Sequence, residues 1–440
     1  MGAFRQQPTG VVPRLSRRQR ILVTPREIAG VAGGLQQALG SRGRTVDVLL
    51  RWRHPFAYAI DPIASRPLRA ASALVVEDEG AANPRLRTGV SLAVRLLLLP
   101  VIAARYGAVV FVGPDTLVRG GWDRRVLRRL GVNIVTVFCG SDARPPYLDG
   151  WFAGAGAPAT LEEARAAVTR TRERVQAAER DSTYVVNHAG SAQFHRAPFL
   201  DWTVVGFAQR HELAPAAPAH ARAAGPLRVL HAPSDLRMKG TQQIRVAIDR
   251  LHAEGIEFDY MEVSGRSHAE VQQLLQGADL VIDQLFSDAV LPGLATEAAR
   301  AGTAVLVCGY AASLVADAAR RTGAPVDHYA HPDELVPALR RLLTDSAHRA
   351  SVADQLHAFV TTGHWSAGAI AARWERILAA APDDAWFDQP ATIEYAAGCA
   401  VSEHDRVAYL RAYVGRFGPA ALELDHHPAL AAVVSDAARV

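Results

Sequence analysis

The stretch RILVTPREIAGVAGGLQQALGSRGRTVDVLL, residues 20–50, decides the fold class of this chain of 440 residues. An apolar segment at Arg20–Pro25 is followed by the Gly-rich loop EIAGVAGG, by a helical segment that begins at Leu35, and by a second apolar segment that begins at Thr45. A strand, a loop, a helix and a second strand in this order are typical of a parallel sheet covered by helices. The stretch therefore predicts an α/β fold.

The same alternation continues along the chain and restarts once. Further strand patterns are ALVVED, AVVFVG, NIVTVFCG and STYVVN in the first half, and LRVLHAP, FDYMEVSG, ADLVIDQL and AVLVCG in the second. Helical patterns lie between them, at Ser91–Arg105, Gly121–Leu130, Leu161–Glu179, Thr241–Glu254, His268–Gly277 and Leu294–Ala301. Residues 210–226 are rich in Ala and Pro without periodicity, which is typical of a linker.

These patterns, in a chain too long for one compact core, predict two Rossmann-like domains. The first spans residues 20–209 and the second 227–380, with the linker at 210–226 between them. We expect residues 1–19 to form a flexible basic leader. Residues 381–440 should form a C-terminal helical extension, with a helix near Glu403–Gly415 that packs on the first domain. Because open α/β sheets bind ligands at the carboxyl ends of their strands, the chemistry should lie in loops that follow strands.

Charge and composition favour a soluble protein without a nucleic-acid partner. Hydrophobic residues make up 49% of the chain and charged residues 21%, and the net charge is +4. The first twenty residues carry five arginines and no acid, so the rest of the chain sums to −1 and lacks the basic footprint of a nucleic-acid-binding protein. The basic leader leaves a weak contact with a membrane surface open.

Localisation follows from the same composition. The leader has no apolar core of a secretory signal, and the apolar run that begins at Leu96 is short and contains Pro100, which favours a buried helix over a membrane span. The three cysteines are distant from one another, which favours neither a disulfide framework nor a zinc site. We expect a cytoplasmic protein.

The loop after the first strand of the second domain holds the first candidate residues. Lys239, in VLHAPSDLRMKGTQQI (residues 229–244), is the only lysine in the chain. The N-terminus of the helix that follows offers free N–H groups to an anion. Arg237 and Lys239 could bind a phosphate there, and Gly240 would let the backbone approach it. The alternative is an exposed basic turn before a helix capped by Thr241.

A second candidate lies in DQLFSDAVLPGLATEAARAGTAVLV, residues 283–307. Glu297 falls in the first turns of a short helix that follows a Pro-Gly pair. Its carboxylate could accept hydrogen bonds from two vicinal hydroxyls, as ribose binding requires. The alternative is a surface glutamate that is favoured by the helix dipole.

These stretches, together with GADLVIDQL, resemble the nucleotide-binding domain of retaining GT-B glycosyltransferases of the large family-4 type. The first half is similar to the family through residues 21–43, YGAVVFVGPDTL and RRVLRRLGVNIVTVFCGSDAR, and HWSAGAIAARWERIL is similar further on. The resemblance implies two Rossmann-like domains that face a central cleft. It implies retaining, metal-independent transfer of a sugar from a nucleotide-diphosphate donor, with a UDP-sugar favoured over a GDP- or dTDP-sugar. No bound cofactor is implied, and the acceptor would be a small molecule or a glycan.

The resemblance also implies roles for individual residues. Arg237 and Lys239 would hold the donor diphosphate, and Glu297 would hold the ribose. The loop at residues 263–270 would lie beside the base, and Ser267 and Glu270 in that loop also form a plausible capping box. The backbone N–H groups expected to face the phosphates or the sugar are those of Gly293, Leu294 and Ala295. The glycines expected to let the first loop approach the sugar or the acceptor are Gly33 and Gly34.

The chain departs from the family pattern in three places. The family's acid eight positions before Glu297 is here Ala289, with Asp288 beside it as a substitute. A common histidine is here Cys139, which leaves Asp142 and Arg144 as polar groups, and we take Asp142 as a catalytic candidate. The usual loop arginine is here Ser234, which makes Arg237 a proposed replacement.

Two rival functions remain at this stage. The first is a non-catalytic GT-B homologue that binds a nucleotide-sugar or a glycan, and the second is an enzyme of the same fold that hydrolyses or epimerises the sugar nucleotide. A dinucleotide oxidoreductase is disfavoured because GVAGG does not match GxGxxG. His188 could face the cleft, whereas His231, within a strand, is expected to be buried and hydrogen-bonded. No histidine spacing indicates a metal site.

Overall fold

The computed structural model describes residues 19–52, 54–77, 84–118, 120–153, 158–210 and 225–438. Its strands are β1 Arg20–Thr24, β2 Thr45–Val48, β3 Ala108–Val112, β4 Asn133–Val137, β5 Tyr184–Asn187, β6 Phe199–Asp201, β7 Leu227–His231, β8 Phe258–Glu262, β9 Leu280–Ile282, β10 Ala304–Cys308, β11 Tyr329–Ala330 and β12 Phe387–Asp388.

The helices alternate with these strands and continue beyond them. They are α1 Val31–Gly40, α2 Arg66–Val75, α3 Pro84–Arg105, α4 Trp122–Arg129, α5 Leu161–Asp181, α6 Trp202–Val205, α7 Thr241–Ala253, α8 His268–Leu275, α9 Gly293–Arg300, α10 Ala312–Thr322, α11 Leu335–Thr344, α12 Ser346–Thr361, α13 Ala367–Leu378, α14 Glu403–Phe417 and α15 Pro428–Ala437.

The strands form two sheets. The first has seven strands in the order β12-β6-β5-β4-β3-β1-β2, and the second has five in the order β11-β10-β9-β7-β8. All pairs are parallel except β12 with β6. Parallel sheets with helices between consecutive strands are Rossmann-like. The expected α/β fold with two Rossmann-like domains facing a central cleft, the GT-B architecture, is therefore confirmed.

Two local predictions were wrong. ALVVED was predicted as a strand, but Ala73–Val75 form the last turn of α2, where Leu68 and Val75 lie seven residues apart on one buried face. An amphipathic pattern of that spacing packs as a helix. The first helix begins at Val31 rather than Leu35, so that Gly33 and Gly34 lie inside it.

The C-terminal extension returns to the first domain, as expected. Leu410 and Tyr413 of α14 share a buried cluster with Phe138 and Phe194, and β12 extends the first sheet. The helix α14 covers the predicted Glu403–Gly415 and two further residues. The proposed linker at 210–226 and the leader at 1–19 lie almost wholly outside the described residues, so the domain boundaries stay predictions.

The helix α3 contains the apolar run that begins at Leu96. Thr88–Arg105 is the one segment among the described residues that is long and apolar enough to cross a membrane. In this fold Leu98, Leu99 and Ile102 pack into a buried cluster with Val109 of the first sheet, and Leu97 remains 74% exposed. One side of the helix therefore packs in the core, but only 33% of Thr88–Arg105 is buried, so the expected buried helix is found only in part.

Gly34 allows α1 to pack closely against the backbone at Ala208 and Gln209. A Cβ atom at Gly34 would overlap the carbonyl group of Ala208, whereas a Cβ atom at Gly40, at the end of the same helix, would meet nothing within 4 Å. We expect Gly34→Ala to destabilise the fold by about 1–3 kcal/mol, as overpacking does. The matched variant Gly40→Ala should be neutral or slightly stabilising. Urea unfolding of both variants is the measurement, and equal midpoints would contradict this prediction.

Candidate functional site

Two adjoining cavities lie between the domains, and loops that follow strands of both sheets line them. The first has a volume of about 300 Å³. It is lined by Ala29, His54, Phe56, Tyr58, Gln209, Ala232, Pro233, Ser234, Lys239, Val263, Gly265, Arg266, His268, Val271, Asp283, Gly293, Leu294 and Glu297. The second has a volume of about 280 Å³ and includes Cys139, Arg144, His188, Trp202, Asp235, Asp288 and Cys399 in its lining.

The two cavities meet at a common wall. Ala29, Gln209, Ser234, Lys239 and Gly293 line both of them. Ala29 and Gln209 belong to the first domain and the other three to the second. A ligand that occupies both cavities must therefore pass beside Lys239 and the start of α9.

Lys239 is held in place by the loop that follows β9. Its Nζ atom donates a hydrogen bond to Oε1 of Gln284 and lies 3.5 Å from Oδ1 of Asp283. Gly240 makes this arrangement possible, because its φ of +72° is left-handed and a Cβ atom there would lie 2.6 Å from Cβ of Leu285. The ammonium group is thus preorganised, and its side chain is still 22% exposed towards the cavities.

The N-terminus of α9 lies beside Lys239. The backbone N–H groups of Gly293 and Leu294 have no acceptor among the described residues, as is usual for the first turn of a helix. The N–H group of Ala295 donates to Oδ2 of Asp283 at 3.1 Å. The structure therefore leaves two of the three predicted donors able to bind a ligand, and the prediction for Ala295 was wrong because Asp283 already occupies its amide.

Glu297 lines the first cavity but not the second, and it is 9% exposed. Its Oε1 atom is 2.8 Å from Nε2 of His268. Burial raises the pKa of the Glu297 carboxyl, and the hydrogen bond with His268 opposes that shift. The two side chains form a compact polar pair in an otherwise partly apolar wall.

His268 and three rings of the first domain were missed by the sequence analysis. The ring of Tyr58 lies 4.6 Å from that of His268 and 4.8 Å from that of His54, and Phe56 adds a third ring to the wall. The backbone amide of His268 donates a hydrogen bond to the backbone carbonyl of Phe56 at 3.3 Å. The only sequence signal was the position of His268 at the start of a helix after a strand.

The loop at residues 263–270 lies beside the first cavity, through Val263, Gly265 and Arg266. Ser267 is not part of the lining. Its hydroxyl accepts from the Glu270 amide, while the Glu270 carboxylate accepts from the Ser267 amide, so the predicted capping box is confirmed. Ser267 therefore positions the loop and does not face the cavity.

A buried ion cluster contributes Arg144 and Asp288 to the lining of the second cavity. The guanidinium of Arg144 donates to Oδ2 of Asp149 at 2.6 Å and to Oδ2 of Asp288 from the other domain. Burial alone would raise the pKa of the Asp288 carboxyl, but the charge of Arg144 lowers it below the usual value. Asp288, expected as a substitute for the acid missing at Ala289, is thus engaged by Arg144.

His188 faces the second cavity, as the sequence suggested. Its Nδ1 atom accepts from the amide of Gly190 at 3.2 Å, and its Nε2 atom lies 3.8 Å from Oδ2 of Asp288. Burial lowers the pKa of His188 to about 4, so the imidazole is neutral at pH 7. His231 is buried between the carbonyl of Ile282 and the hydroxyl of Thr241, as expected. Thr241 therefore bonds His231 and does not cap α7, whose N-cap residue is Gly240.

The C-terminal extension completes the second cavity, which the sequence did not indicate. The amide of Cys399 donates to the carbonyl of Leu148 in the first domain at 3.0 Å. The amide of Ala400 donates to the carbonyl of Phe286 in the second domain at 2.8 Å. Cys399 and Ala400 thus connect both domains and line the cavity between them.

Arg237 does not line either cavity of the cleft. It lies in a third cavity of about 360 Å³, with Arg245 and Asp405. Asp142 also lies outside both linings. Its Oδ1 atom accepts from the Cys139 amide at 2.9 Å, and its Oδ2 atom is buried without a hydrogen-bond partner among the described residues. Burial raises the pKa of Asp142 to about 6.

Gly33 and Gly34 serve packing rather than a ligand. The amide of Gly33 donates to Oε2 of Glu27 at 3.0 Å, and a Cβ atom at Gly33 would lie 2.6 Å from the carbonyl oxygen of Ala59. Neither glycine lines a cavity of the cleft, whereas Ala29 in the preceding loop lines both. Of this segment, Ala29 is therefore the residue that reaches the cleft.

The chain matches no protein-family model and no curated protein. Among solved structures it is similar to HepE of Anabaena in complex with UDP, at 15% identity and a TM-score of 0.46 over 82% of this chain and 99% of that one. It is also similar to the structure described as trehalose-6-phosphate from E. coli bound with UDP-2-fluoro glucose. The identity is 13% and the TM-score 0.46, over 82% of this chain and 98% of that one. A third similar structure is that of WaaG, a glycosyltransferase involved in lipopolysaccharide biosynthesis. The identity is 14% and the TM-score 0.43, over 82% of this chain and 99% of that one. Such likeness concerns the arrangement of the chain and does not extend to the reaction.

Proposed function

We propose that this protein is a glycosyltransferase that moves a sugar from a UDP-sugar to a small-molecule or glycan acceptor. One observation carries the proposal: a polar pair, a cation with a helix N-terminus, and a second cavity follow one another across the cleft. The Glu297–His268 pair suits a ribose, and Lys239 with the amides of Gly293 and Leu294 suits a diphosphate. The second cavity then receives the sugar.

We propose uridine as the nucleoside of the donor. The first cavity has a volume of about 300 Å³, which accommodates a nucleoside. A carboxylate paired with a histidine suits the vicinal hydroxyls of a ribose, which the deoxyribose of a dTDP-sugar lacks. The rings of Tyr58 and Phe56 offer flat apolar surfaces that a base could contact.

Lys239 would stabilise the leaving group. Negative charge grows on the diphosphate as the bond to the anomeric carbon breaks, and a fixed ammonium with two helix-terminal amides is aimed at the place where it develops. This arrangement needs no metal ion for the same task. We therefore propose a metal-independent reaction.

Retention of anomeric configuration is the proposed stereochemistry. An inverting enzyme needs a side-chain base on the face opposite the leaving group. In the described part of the second cavity, the ionisable side chains have protein partners: Asp288 bonds Arg144, Nδ1 of His188 accepts from Gly190, and Oδ1 of Asp235 accepts from the amides of Arg237 and Met238. A leaving phosphate oxygen that takes the proton of the acceptor on the same face requires no such base.

A donor panel tests the proposal. Purified protein is incubated with UDP-, GDP- and dTDP-sugars, with and without a mixture of sugar and lipid acceptors, and free nucleotide is followed over time. We expect UDP release that depends on the acceptor, persists in EDTA and yields a product of retained configuration by NMR. Equal release without acceptor would indicate a hydrolase, and binding without turnover would indicate a non-catalytic protein.

A further inference from the structure

The outer face of α3 is apolar along most of the helix. Between Val90 and Ala104 its exposed positions are Val90, Ala93, Leu96, Leu97, Pro100 and Ala104. All but Leu96 follow one another at alternating spacings of three and four residues, so they form one stripe along the helix. The solvent-facing side of a surface helix is normally polar or charged, and a contiguous apolar face marks a place of contact with another surface.

The opposite side of α3 fixes this helix in the first domain. Arg95, in the middle of the helix, is 2% exposed and donates from Nη1 to the carbonyl of Leu117 and from Nη2 to Oε1 of Glu77, both at 2.7 Å. A buried guanidinium with partners in its own domain is incompatible with a helix that crosses a bilayer. Only the outer face of α3 is therefore available to a partner.

The neighbouring helices extend the apolar surface. Both α2 and α4 pack against α3, and all three cover the same face of the first sheet. Leu74 of α2 is 50% exposed, Trp122 of α4 is 41% exposed, and Leu130, directly after α4, is 53% exposed. The three helices therefore form a layer whose outer side has apolar side chains on every helix.

The exposed charges of this layer are positive. They belong to Arg66, Arg69, Arg105, Arg128 and Arg129, together with Arg125, which is paired with Asp181. Asp123 is the only acid in the sequence of the three helices, and it is fully buried. A second copy of this chain, docked symmetrically, would place arginines against arginines with no exposed acid of these helices to pair with them. An anionic surface is complementary.

We propose that the outer face of α2, α3 and α4 docks on an anionic lipid surface. The apolar stripe of α3 would lie at the boundary between headgroups and acyl chains, and the arginines would contact the headgroups. This assigns membrane contact to folded helices of the first domain, whereas the sequence pointed to the basic leader. The inference does not depend on the reaction that the cleft performs.

Sedimentation with lipid vesicles tests the proposal on the full chain. One set of vesicles is phosphatidylcholine alone, and the other is an equal mixture of phosphatidylcholine and phosphatidylglycerol. We expect at least about tenfold tighter binding to the mixed vesicles, because each arginine near an anionic surface contributes favourably. Binding should weaken strongly in about 1 M sodium chloride, where charges are screened within about 3 Å.

Two variants assign the binding to this face. Leu97→Asp alters a side chain that is 74% exposed and should weaken binding to the mixed vesicles by at least about tenfold. Replacement of both Arg66 and Arg105 by glutamine should weaken it by about fivefold for each arginine. Val246→Asp changes a side chain of α7 that is 59% exposed in the second domain, and it is the matched control that should bind as wild type does. All variants keep the leader, which therefore cannot account for a loss.

The same samples give the results that would overturn the proposal. Wild type that does not bind the mixed vesicles, or that binds both kinds of vesicle equally, would contradict it, as would unchanged binding by Leu97→Asp. Sedimentation velocity without lipid should show a monomer. A dimer that Leu97→Asp converts into a monomer would assign this face to a second copy of the chain instead.

Discussion

Replacement of Lys239 by alanine is expected to lower kcat by about two to three orders of magnitude, as the loss of one preorganised group that stabilises developing charge does. The ammonium is held by Gln284 and Asp283 at the wall shared by both cavities, so it is in place before the leaving group develops charge. Because that charge is larger in the transition state than in the ground state, KM should change less than kcat. Steady-state kinetics with UDP-sugar and acceptor give both values.

Two further variants sharpen this prediction. Lys239→Arg retains the charge, but a planar guanidinium cannot take the place of a compact ammonium between Gln284 and Asp283, so only part of the rate should return. Arg237→Ala removes a cation of the same loop that lies in the third cavity, and we expect it to cost far less than Lys239→Ala. A fully active Lys239→Ala protein, folded by circular dichroism, would place the phosphate site elsewhere.

The second large effect is expected at the ribose. Glu297→Ala should weaken UDP binding by about 1.5–3 kcal/mol, the range for a hydrogen bond to a charged group. The variant removes the acceptor and also leaves His268 without its 2.8 Å partner. Isothermal titration calorimetry of wild type and variant gives the difference directly.

The deoxy analogue of the ligand separates this role from a general loss of structure. Wild type should bind UDP more tightly than dUDP, and Glu297→Ala should bind the two almost equally, because the lost acceptor served the 2′-hydroxyl. Glu257→Ala, which removes an exposed carboxylate of the same domain, is the matched control and should bind as wild type does. An unchanged preference for UDP in Glu297→Ala would remove this residue from the ribose site.

The sequence predicted the features that depend on neighbours along the chain. Alternation of apolar strands and amphipathic helices predicted both Rossmann-like domains, and the Ser267–Glu270 spacing predicted the capping box, because these patterns arise within a few residues. Where a short apolar segment is compatible with both the strand period and the helix period, the local pattern could not decide between a strand and a helix. Ala73–Val75, the first half of ALVVED, form the end of α2 because Leu68 and Val75 bury one helical face.

The candidate site was only partly predictable. Lys239, Gly293, Leu294 and Glu297 follow strands of one sheet, whose carboxyl ends must converge, and they meet at the first cavity. Arg237, only two residues from Lys239, lines another cavity, because the loop turns between them: the Lys239 amide donates to the Asp235 carbonyl at 3.1 Å and the Gly240 amide to the Arg237 carbonyl at 3.0 Å. Asp142, Gly33 and Gly34 proved to lie outside both linings for similarly local reasons, namely the amides and backbone that they contact.

By itself, therefore, the sequence determined the fold class, the loops that line the cleft and the choice of Lys239 and Glu297 as candidates. Only the tertiary structure decided which distant residues pair with one another and line the cleft beside these candidates. His268 meets Glu297 across 29 residues, Arg144 meets Asp288 across 144, and Cys399 reaches the cavity from the C-terminal extension. Such pairs leave no periodic signal in the sequence, because the distance between their members is set by the packing of the two domains and the C-terminal extension. The charges that face the cleft depend on the same packing.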